Sequence, residues 1–134
     1  NLREKGNEFG STTGRPRRCG WIDLVALKYA IMLNGVTKLV MTKSDVLDTF
    51  DTIKVATAYK LNNESIHHFP YELNGDETPV YTEFPGWKQS LVDIRRKEDF
   101  PEKLIEYVRF LEKELEVPVE FVSVGPDREQ IIRM

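Results

Sequence analysis

Two segments of this sequence join a helical pattern to a short apolar strand pattern, and these two units restrict the fold more than any other feature. Residues 22–33 have apolar side chains on most helical faces, which predicts a helix buried on most sides, begun by Asp23 and ended by the Asn-Gly pair that follows. Residues 38–42 continue as a strand whose apolar middle predicts a position inside a sheet rather than at its edge. Residues 100–115 form an amphipathic helical pattern, and residues 119–123 follow as a second short strand. A helix followed closely by a buried strand is typical of a parallel sheet with covering helices.

The middle of the chain predicts strands of another kind. Residues 52–61 alternate between apolar and polar side chains, which indicates a half-exposed strand, and an Asn-Asn turn signal lets residues 65–71 return as its hairpin partner. Residues 73–97 contain prolines and turn formers, so we expect an irregular excursion with a short extended piece at 80–83. We therefore expect residues 1–134 to form a single α/β unit: a three-layer piece of a mostly parallel, partly mixed sheet with covering helices.

The composition excludes several classes of function. The chain has 134 residues, 40% hydrophobic and 31% charged, with a net charge of −3. This acidic balance argues against a general nucleic-acid or membrane binder. No apolar run approaches the length of a membrane span, and the single cysteine fits a reducing compartment. We therefore expect a cytoplasmic protein with neither nucleic acid nor a membrane as its partner.

A loop rich in glycine, hydroxyl and arginine residues, "GSTTGRPRRCGW" at residues 10–21, indicates binding of small anions. Glycines let backbone amides approach a ligand, hydroxyls donate short hydrogen bonds, and guanidinium groups match carboxylates and phosphates two oxygens at a time. The arginines at 15–18 also leave an alternative open. In that alternative the chain is a non-catalytic binding or structural module whose arginine-rich loop contacts phosphates, for example those of a nucleic acid.

Polar loops follow both short strands, at residues 42–45 ("TKSD") and 123–127 ("SVGPD"). In open α/β sheets, ligands collect at the carboxyl ends of strands. A carboxylate at Asp45 could accept two adjacent N–H groups of guanine, which adenine does not offer, and the stem of Lys43 could lie along the purine. The second loop could supply backbone amides to the base. In the alternative interpretation Asp45 only caps the next turn, a role that Asp48 could fill equally well.

Four stretches of the sequence, in the same order, resemble adenylosuccinate synthetase. The resemblance covers essentially the whole chain and corresponds to the C-terminal third of that enzyme. It implies the C-terminal part of a P-loop-related synthetase fold. The stretches are "GNEFGSTTGRPRRCGWID" (6–23), "TKSDVLD" (42–48), "VYTEFPGW" (80–87) and "SVGPDRE" (123–129).

The resemblance implies a ligase of purine biosynthesis. The family joins IMP to L-aspartate to give adenylosuccinate, while GTP is hydrolysed to GDP and phosphate. The complete enzyme uses Mg²⁺ and GTP and is a homodimer. No G-x-x-x-x-G-K-[ST] motif is present in these 134 residues. The resemblance thus implies that the phosphate loop, the catalytic residues and the metal ligands lie in the N-terminal part, so that this fragment alone is inactive.

Two groups of site residues are implied by position in the family. The first would form the mobile loop that holds aspartate, with Thr12 and Thr13 on its carboxylate, Arg15 between aspartate and IMP, and Arg17 reaching aspartate and the GTP side. The second would bind the guanine of GTP, with Asp45 as the discriminating acceptor. The loop comprises Ser11, Thr12, Thr13, Gly14, Arg15, Pro16 and Arg17; the GTP-binding residues are Arg17, Lys43, Ser44, Asp45, Ser123, Val124 and Gly125.

Overall fold

The computed structural model describes residues 2–134 and contains helices and strands in mixed order. The helices are α1 (Leu2–Lys5), α2 (Leu24–Asn34) and α3 (Glu102–Leu115). The strands are β1 (Ile22–Asp23), β2 (Leu39–Met41), β3 (Thr52–Leu61), β4 (Glu64–Ile66), β5 (Thr78–Pro85), β6 (Val119–Ser123) and β7 (Ile131–Arg133). Single turns of 3₁₀ helix cover Ser44–Leu47, Lys97–Asp99 and Arg128–Gln130. The α/β class is confirmed, and both predicted helix-then-strand units are present.

The first sheet is built around β3, which spans the ten residues that the alternation predicts. β5 runs antiparallel to β3 along nearly its whole length. β1 pairs with β3 in parallel, and β4 pairs with it antiparallel. Asn62 and Asn63 connect β3 to β4 with φ values of 50° and 66°. Two consecutive residues at positive φ match the twist of the flanking strands, which agrees with the predicted turn. The bounds predicted for the partner strand, 65–71, are wrong, because β4 covers only Glu64–Ile66.

The second sheet brings the two helix-then-strand units together. β2 and β6 pair in parallel, and β7 adds to β6 antiparallel. Within residues 2–134, β2 therefore lies at the edge of this sheet, and Val40 is 57% exposed. The prediction that its apolar middle places it inside a sheet is wrong for this part of the chain, because a strand of three residues gives no signal that separates a sheet interior from an edge. Parallel pairing places the carboxyl ends of β2 and β6 at the same end of the sheet, as expected.

The prediction of one mostly parallel, partly mixed sheet differs from the structure in its strand pairing. The strands form two mixed sheets, and the longest ladder, between β3 and β5, is antiparallel. β5 is longer than the extended piece expected at 80–83. Pro79 and Pro85 lie within β5, which they can do because β5 pairs with β3 alone among the described strands, so a missing N–H can face outward. β3 is also less exposed than predicted. A register shift between Ala56 and Ala58 interrupts its alternation, and both alanines are buried.

α3 supplies the centre of the hydrophobic core. Its buried stripe contains the residues that the amphipathic pattern indicates: Leu104, Tyr107, Val108, Leu111 and Leu115. These side chains belong to one connected cluster that includes Ile53 and Val55 of the first sheet and Val119, Val122 and Ile132 of the second. α3 has 14 residues, and no helix of the described chain is both long and apolar enough to cross a membrane.

α2 is capped as predicted but is less buried. The Asp23 carboxylate accepts the Ala26 N–H at 3.1 Å, and Gly35 ends the helix with a φ of 60°. Within α2 only Leu24 and Val25 are fully buried, while Leu33 is 64% exposed. The expectation of burial on most sides is wrong for the described residues, because α2 packs on β3 and α3 with one side only.

We expect Leu104→Ala to lower the free energy of unfolding by about 2–5 kcal/mol, because it leaves a cavity at a fully buried position. Leu33→Ala is the matched control, since the same atoms are removed from an exposed site of a helix; it should change the free energy by less than about 0.5 kcal/mol. Urea unfolding of the 134-residue chain measures both. An equal loss in the two variants would contradict the described packing.

Candidate functional site

The loop predicted to bind anions forms a small hairpin between residues 8 and 17. The Gly10 N–H donates to Arg15 O at 2.8 Å, and the Arg17 N–H donates to Glu8 O at 2.9 Å. Phe9 and Pro16 form an antiparallel bridge between these two bonds. At the tip, the Gly14 N–H donates to Gly10 O at 2.8 Å, and Gly14 has a φ of 62°, which favours glycine. Three backbone hydrogen bonds thus hold the hairpin, and residues 11–17 at its tip are exposed.

All residues of the predicted aspartate loop are exposed, from Ser11 to Arg17. Thr13 Oγ1 accepts the Arg15 N–H at 3.3 Å. The hydroxyl hydrogen of Thr13 therefore remains available to donate to a ligand. A Cβ added at Gly10 would lie 2.8 Å from Thr13 Oγ1, so a side chain there would displace the Thr13 hydroxyl. The geometry suits a surface loop that offers hydroxyl and guanidinium donors.

The predicted guanine loop follows β2 and turns sharply. Lys43 has a φ of 58°, a left-handed conformation that few non-glycine residues adopt. Ser44 begins the 3₁₀ turn and is 1% exposed, and its Oγ has no hydrogen-bond partner among the described residues. Asp45 is half-buried one residue later. A carboxylate and an unsatisfied hydroxyl therefore stand next to each other where β2 ends.

Asp48 fixes the far end of this turn. Its two carboxylate oxygens accept the indole N–H of Trp87 and the backbone N–H of Leu91, both at 2.9 Å. Burial raises the pKa of the Asp48 carboxyl above its ordinary value, although these two hydrogen bonds act in the opposite direction. The two aspartates thus have different surroundings: the structure gives the anchoring hydrogen bonds to Asp48, while no side-chain hydrogen bond of Asp45 is found within residues 2–134.

The third predicted segment, which follows β6, is held by Gln130. The Val124 N–H donates to Gln130 O at 2.9 Å, and Val124 is fully buried. Ser123 Oγ donates to Gly125 O at 2.9 Å. A Cβ added at Gly125 would lie 2.2 Å from Gln130 Oε1, and that oxygen already accepts the Asp127 N–H. The segment is therefore tightly packed, and the Val124 amide is already occupied within the protein.

The Glu8 carboxylate joins the predicted anion loop, residues 10–17, to the predicted guanine loop, residues 42–45. Glu8 Oε2 accepts from Arg17 Nη1 at 3.0 Å, and Glu8 Oε1 accepts from Lys43 Nζ. Lys43 Nζ also donates to Gly6 O at 2.7 Å. The hydrogen bonds from Lys43 and Arg17 lower the pKa of the Glu8 carboxyl. The structure also brings the 3₁₀ turn at Ser44–Leu47 into contact with β6. Glu8 thereby links the loops at 11–17 and 42–45, and the turn after β2 lies against β6.

An open cavity of about 200 Å³ lies beside this link. Of the predicted site residues, Lys43 lines it, while Asp45 and the 123–125 segment do not. Its walls are otherwise mainly apolar, with Trp21, Val46, Leu47, Ile53 and Tyr107 among them. The cavity is a neighbour of the predicted guanine loop and does not enclose it.

The residues present do not form a recognisable metal site. Within residues 2–134, no group of three or more histidine, cysteine, aspartate or glutamate side chains is placed to hold a metal ion. His67 and His68, adjacent on the chain, are both exposed.

Comparison with known proteins identifies the family. The model of the adenylosuccinate synthetase family matches residues 1–132. The chain belongs to the adenylosuccinate synthetase family. It is 61% identical over 127 residues to adenylosuccinate synthetase of Parabacteroides distasonis, a match that covers 95% of this chain and 30% of that protein. It is 59% identical over 131 residues to the Porphyromonas gingivalis enzyme, covering 98% of this chain and 31% of that one.

A solved structure from the same family has the same fold. The structure of fully ligated adenylosuccinate synthetase from Plasmodium falciparum superimposes with a TM-score of 0.93 at 35% identity, covering 99% of this chain and 33% of that one. This likeness confirms the α/β architecture over the described residues. The chain spans about 30% of the length of the curated relatives described above.

Two residues of this region, Glu8 and Gln130, received no role from the sequence. Glu8 lies inside the "GNEFG" stretch, and no sequence pattern marks it as the partner of Arg17. The hairpin pairs position 8 with position 17, through the hydrogen bond from the Arg17 N–H to Glu8 O. A lone acidic residue beside an arginine-rich loop is the signal that could have found it. Gln130 ends the 3₁₀ turn that precedes β7, and neither element is long enough to produce a sequence pattern.

We expect Asp48→Asn to lower the free energy of unfolding by about 1–3 kcal/mol. Asparagine has one acceptor oxygen, so either the Trp87 or the Leu91 N–H would face an amide N–H₂ and lose its partner. Asp93→Asn is the control, because Asp93 is exposed. Chemical unfolding measures both variants. Equal, small effects would show that the two Asp48 hydrogen bonds do not hold the turn.

We expect the contribution of Glu8 to stability to depend on pH. Because its pKa is lowered in the folded state, Glu8 stabilises the fold at pH values above its ordinary pKa, and this contribution is lost as the pH falls through the folded-state pKa. The difference in urea midpoint between the parent chain and Glu8→Gln should therefore be larger at about pH 7 than at about pH 3. A difference that stays constant over this range contradicts the assignment.

Proposed function

We propose that this chain is the C-terminal part of a cytoplasmic purine-biosynthesis ligase that joins IMP and L-aspartate to give adenylosuccinate, with GTP hydrolysed to GDP and phosphate. Membership of the adenylosuccinate synthetase family supports the activity. Coverage of about 30% of the curated relatives supports the assignment to a part of the enzyme. In this reaction GTP transfers its terminal phosphoryl group to the 6-oxygen of IMP, and the amine of aspartate then displaces that phosphate from carbon 6.

The observation that carries this proposal is the parallel pairing of β2 with β6, which places the 42–45 and 123–125 segments at one end of the second sheet. A guanine base there would meet Asp45, whose carboxylate can accept the two N–H groups of the Watson–Crick edge. Lys43 would lie along the purine face. Ser44 supports this site, since its buried Oγ lacks a partner among the described residues. Adenine lacks the N–H pair, so the same carboxylate rejects ATP.

The 11–17 loop would hold aspartate and contact IMP. Thr12 and Thr13 would donate hydroxyl hydrogen bonds to an aspartate carboxylate, and the free hydroxyl hydrogen of Thr13 supports that role. Arg15 would lie between aspartate and IMP, where a planar guanidinium can bind two oxygens at once. Arg17 would reach aspartate and the GTP side. The exposure of all these side chains supports a role in binding substrates that arrive from solution.

The rest of the active site would come from outside this segment. Because the chain covers only about 30% of its curated relatives, we propose that the N-terminal part of a homodimeric enzyme binds Mg²⁺ and contributes the phosphate loop and the proton-transfer groups. The segment alone is then expected to be inactive. The alternative of a module that contacts nucleic-acid phosphates has less support, since the chain carries a net charge of −3.

We expect calorimetric titration of the chain to give weak binding of GDP and GTP and weaker or no binding of ADP. Asp45→Asn should weaken GDP binding by about 10- to 100-fold, because hydrogen bonds to a charged group contribute about 1.5–3 kcal/mol. The same variant should improve binding of xanthosine diphosphate. Xanthine carries a carbonyl where guanine has its amino group, and the asparagine amide can donate to that carbonyl.

Asp76→Asn is the control, because Asp76 is an exposed turn residue between β4 and β5; it should leave both affinities unchanged. Equal binding of GDP and ADP, or unchanged guanine preference in Asp45→Asn, would contradict the placement of the guanine pocket. Binding that is indifferent to the base and weakens steeply with salt would favour the phosphate-contacting module instead.

A further inference from the structure

Both backbone groups of Glu8, the N–H and the C=O, form hydrogen bonds that fix the position of the residue. Its N–H donates to Arg3 O at 2.8 Å, and its carbonyl oxygen accepts the Arg17 N–H at 2.9 Å. Each carboxylate oxygen of the Glu8 side chain forms an ion pair with a different cation, Oε2 with Arg17 and Oε1 with Lys43. The carboxylate therefore has little freedom to choose other partners, and its two cations come from two different loops.

Lys43 is restrained by the same contacts. Its ammonium group donates to both Glu8 and Gly6 O, and its backbone is in the left-handed conformation that opens the turn toward Asp45. A lysine side chain free in solution samples many rotamers, and its ordering costs free energy when a ligand binds. A lysine already held in one rotamer does not incur that cost on binding.

We propose that Glu8 is a positioning residue for guanine-nucleotide binding: braced by Arg17, it holds Lys43 in the place from which Lys43 contacts the base. This inference rests on the proposed function. The lowered pKa of Glu8 supports it, because the carboxylate then stays ionised in neutral solution and keeps both cations. The loop that would bind aspartate is thereby tied to the loop that would bind guanine through one side chain.

The sign of a single substitution separates positioning from simple charge. A nucleotide is a polyanion, so a carboxylate that acted only as a nearby negative charge would weaken its binding, and Glu8→Gln would then tighten it. If Glu8 instead positions Lys43, Glu8→Gln weakens nucleotide binding despite the removal of a negative charge. The two explanations therefore predict opposite changes in the same dissociation constant.

Glu120 provides a matched control within the chain. Its carboxylate also pairs with two cations, Lys38 at 3.0 Å and Arg133 at 3.3 Å. Its side chain is 23% exposed, against 24% for Glu8. Neither of its partners belongs to the proposed site. Glu120→Gln should therefore reproduce any general effect of losing a two-cation contact on the surface without touching the nucleotide.

The experiment is calorimetric titration of the parent chain, Glu8→Gln and Glu120→Gln with GMP and GDP at one ionic strength. Glu8→Gln should weaken binding about 3- to 10-fold, the scale of one partly exposed ionic hydrogen bond, and by the same factor for both nucleotides because the base is the affected group. Glu120→Gln should stay within about twofold of the parent. Unchanged or tighter binding by Glu8→Gln, or an equal loss in Glu120→Gln, overturns the inference.

A second variant tests whether Glu8 acts on nucleotide binding through Lys43. Lys43→Met removes the ammonium group that Glu8 would position, so Glu8→Gln should add no further loss of GDP affinity in that background. Additive losses would show that Glu8 acts by another route. If the parent chain does not prefer guanine nucleotides, the proposed guanine pocket fails. If the parent prefers them and the Glu8 variants bind equally well, this inference alone fails.

Discussion

Burial of one face of α3 holds the two sheets together and so determines where every loop of the candidate site can lie. Leu104 and Val108 are fully enclosed in a cluster that contains strands of both sheets. α2 packs on the same helix, so the two helix-then-strand units lie side by side and their strands β2 and β6 pair in parallel. The polar loops after these two strands consequently share one end of a sheet, and the proposed guanine site depends on that arrangement.

Acidic side chains then fix the loops on this frame, each through two contacts. Asp23 caps α2 and accepts the Tyr59 hydroxyl, which joins the start of the helix to β3. Asp48 holds the turn that presents Asp45, and Glu8 joins that turn to the anion loop. Burial raises the pKa of Asp48, whereas the hydrogen bonds from Lys43 and Arg17 lower the pKa of Glu8. No such side-chain hydrogen bond of Asp45 is found within residues 2–134.

The elements with strong periodicity could be predicted from the sequence, as could β2 and β6, the two short strands that follow a helix, whereas β1 and β7 could not. β3 and β6 have the predicted bounds, and α3 begins at Glu102 within the predicted 100–115. The alternation of β3 and the stripe of α3 each extend over ten residues or more, so their patterns are unambiguous. β7 has three residues and gives no pattern. The apolar sequence of α2 indicated burial, but it could not show which faces of the helix pack against β3 and α3.

The sequence by itself determined the chemistry of the loops and the family, because residue types and their order along the chain carry both: hydroxyls and guanidinium groups at 11–17, and an aspartate after a short apolar strand. Only the tertiary structure decided which charges meet. The pairing of Glu8 with Arg17 requires the hairpin register, and its pairing with Lys43 joins segments that are 35 residues apart. Contacts between distant segments depend on packing, which local sequence patterns do not encode.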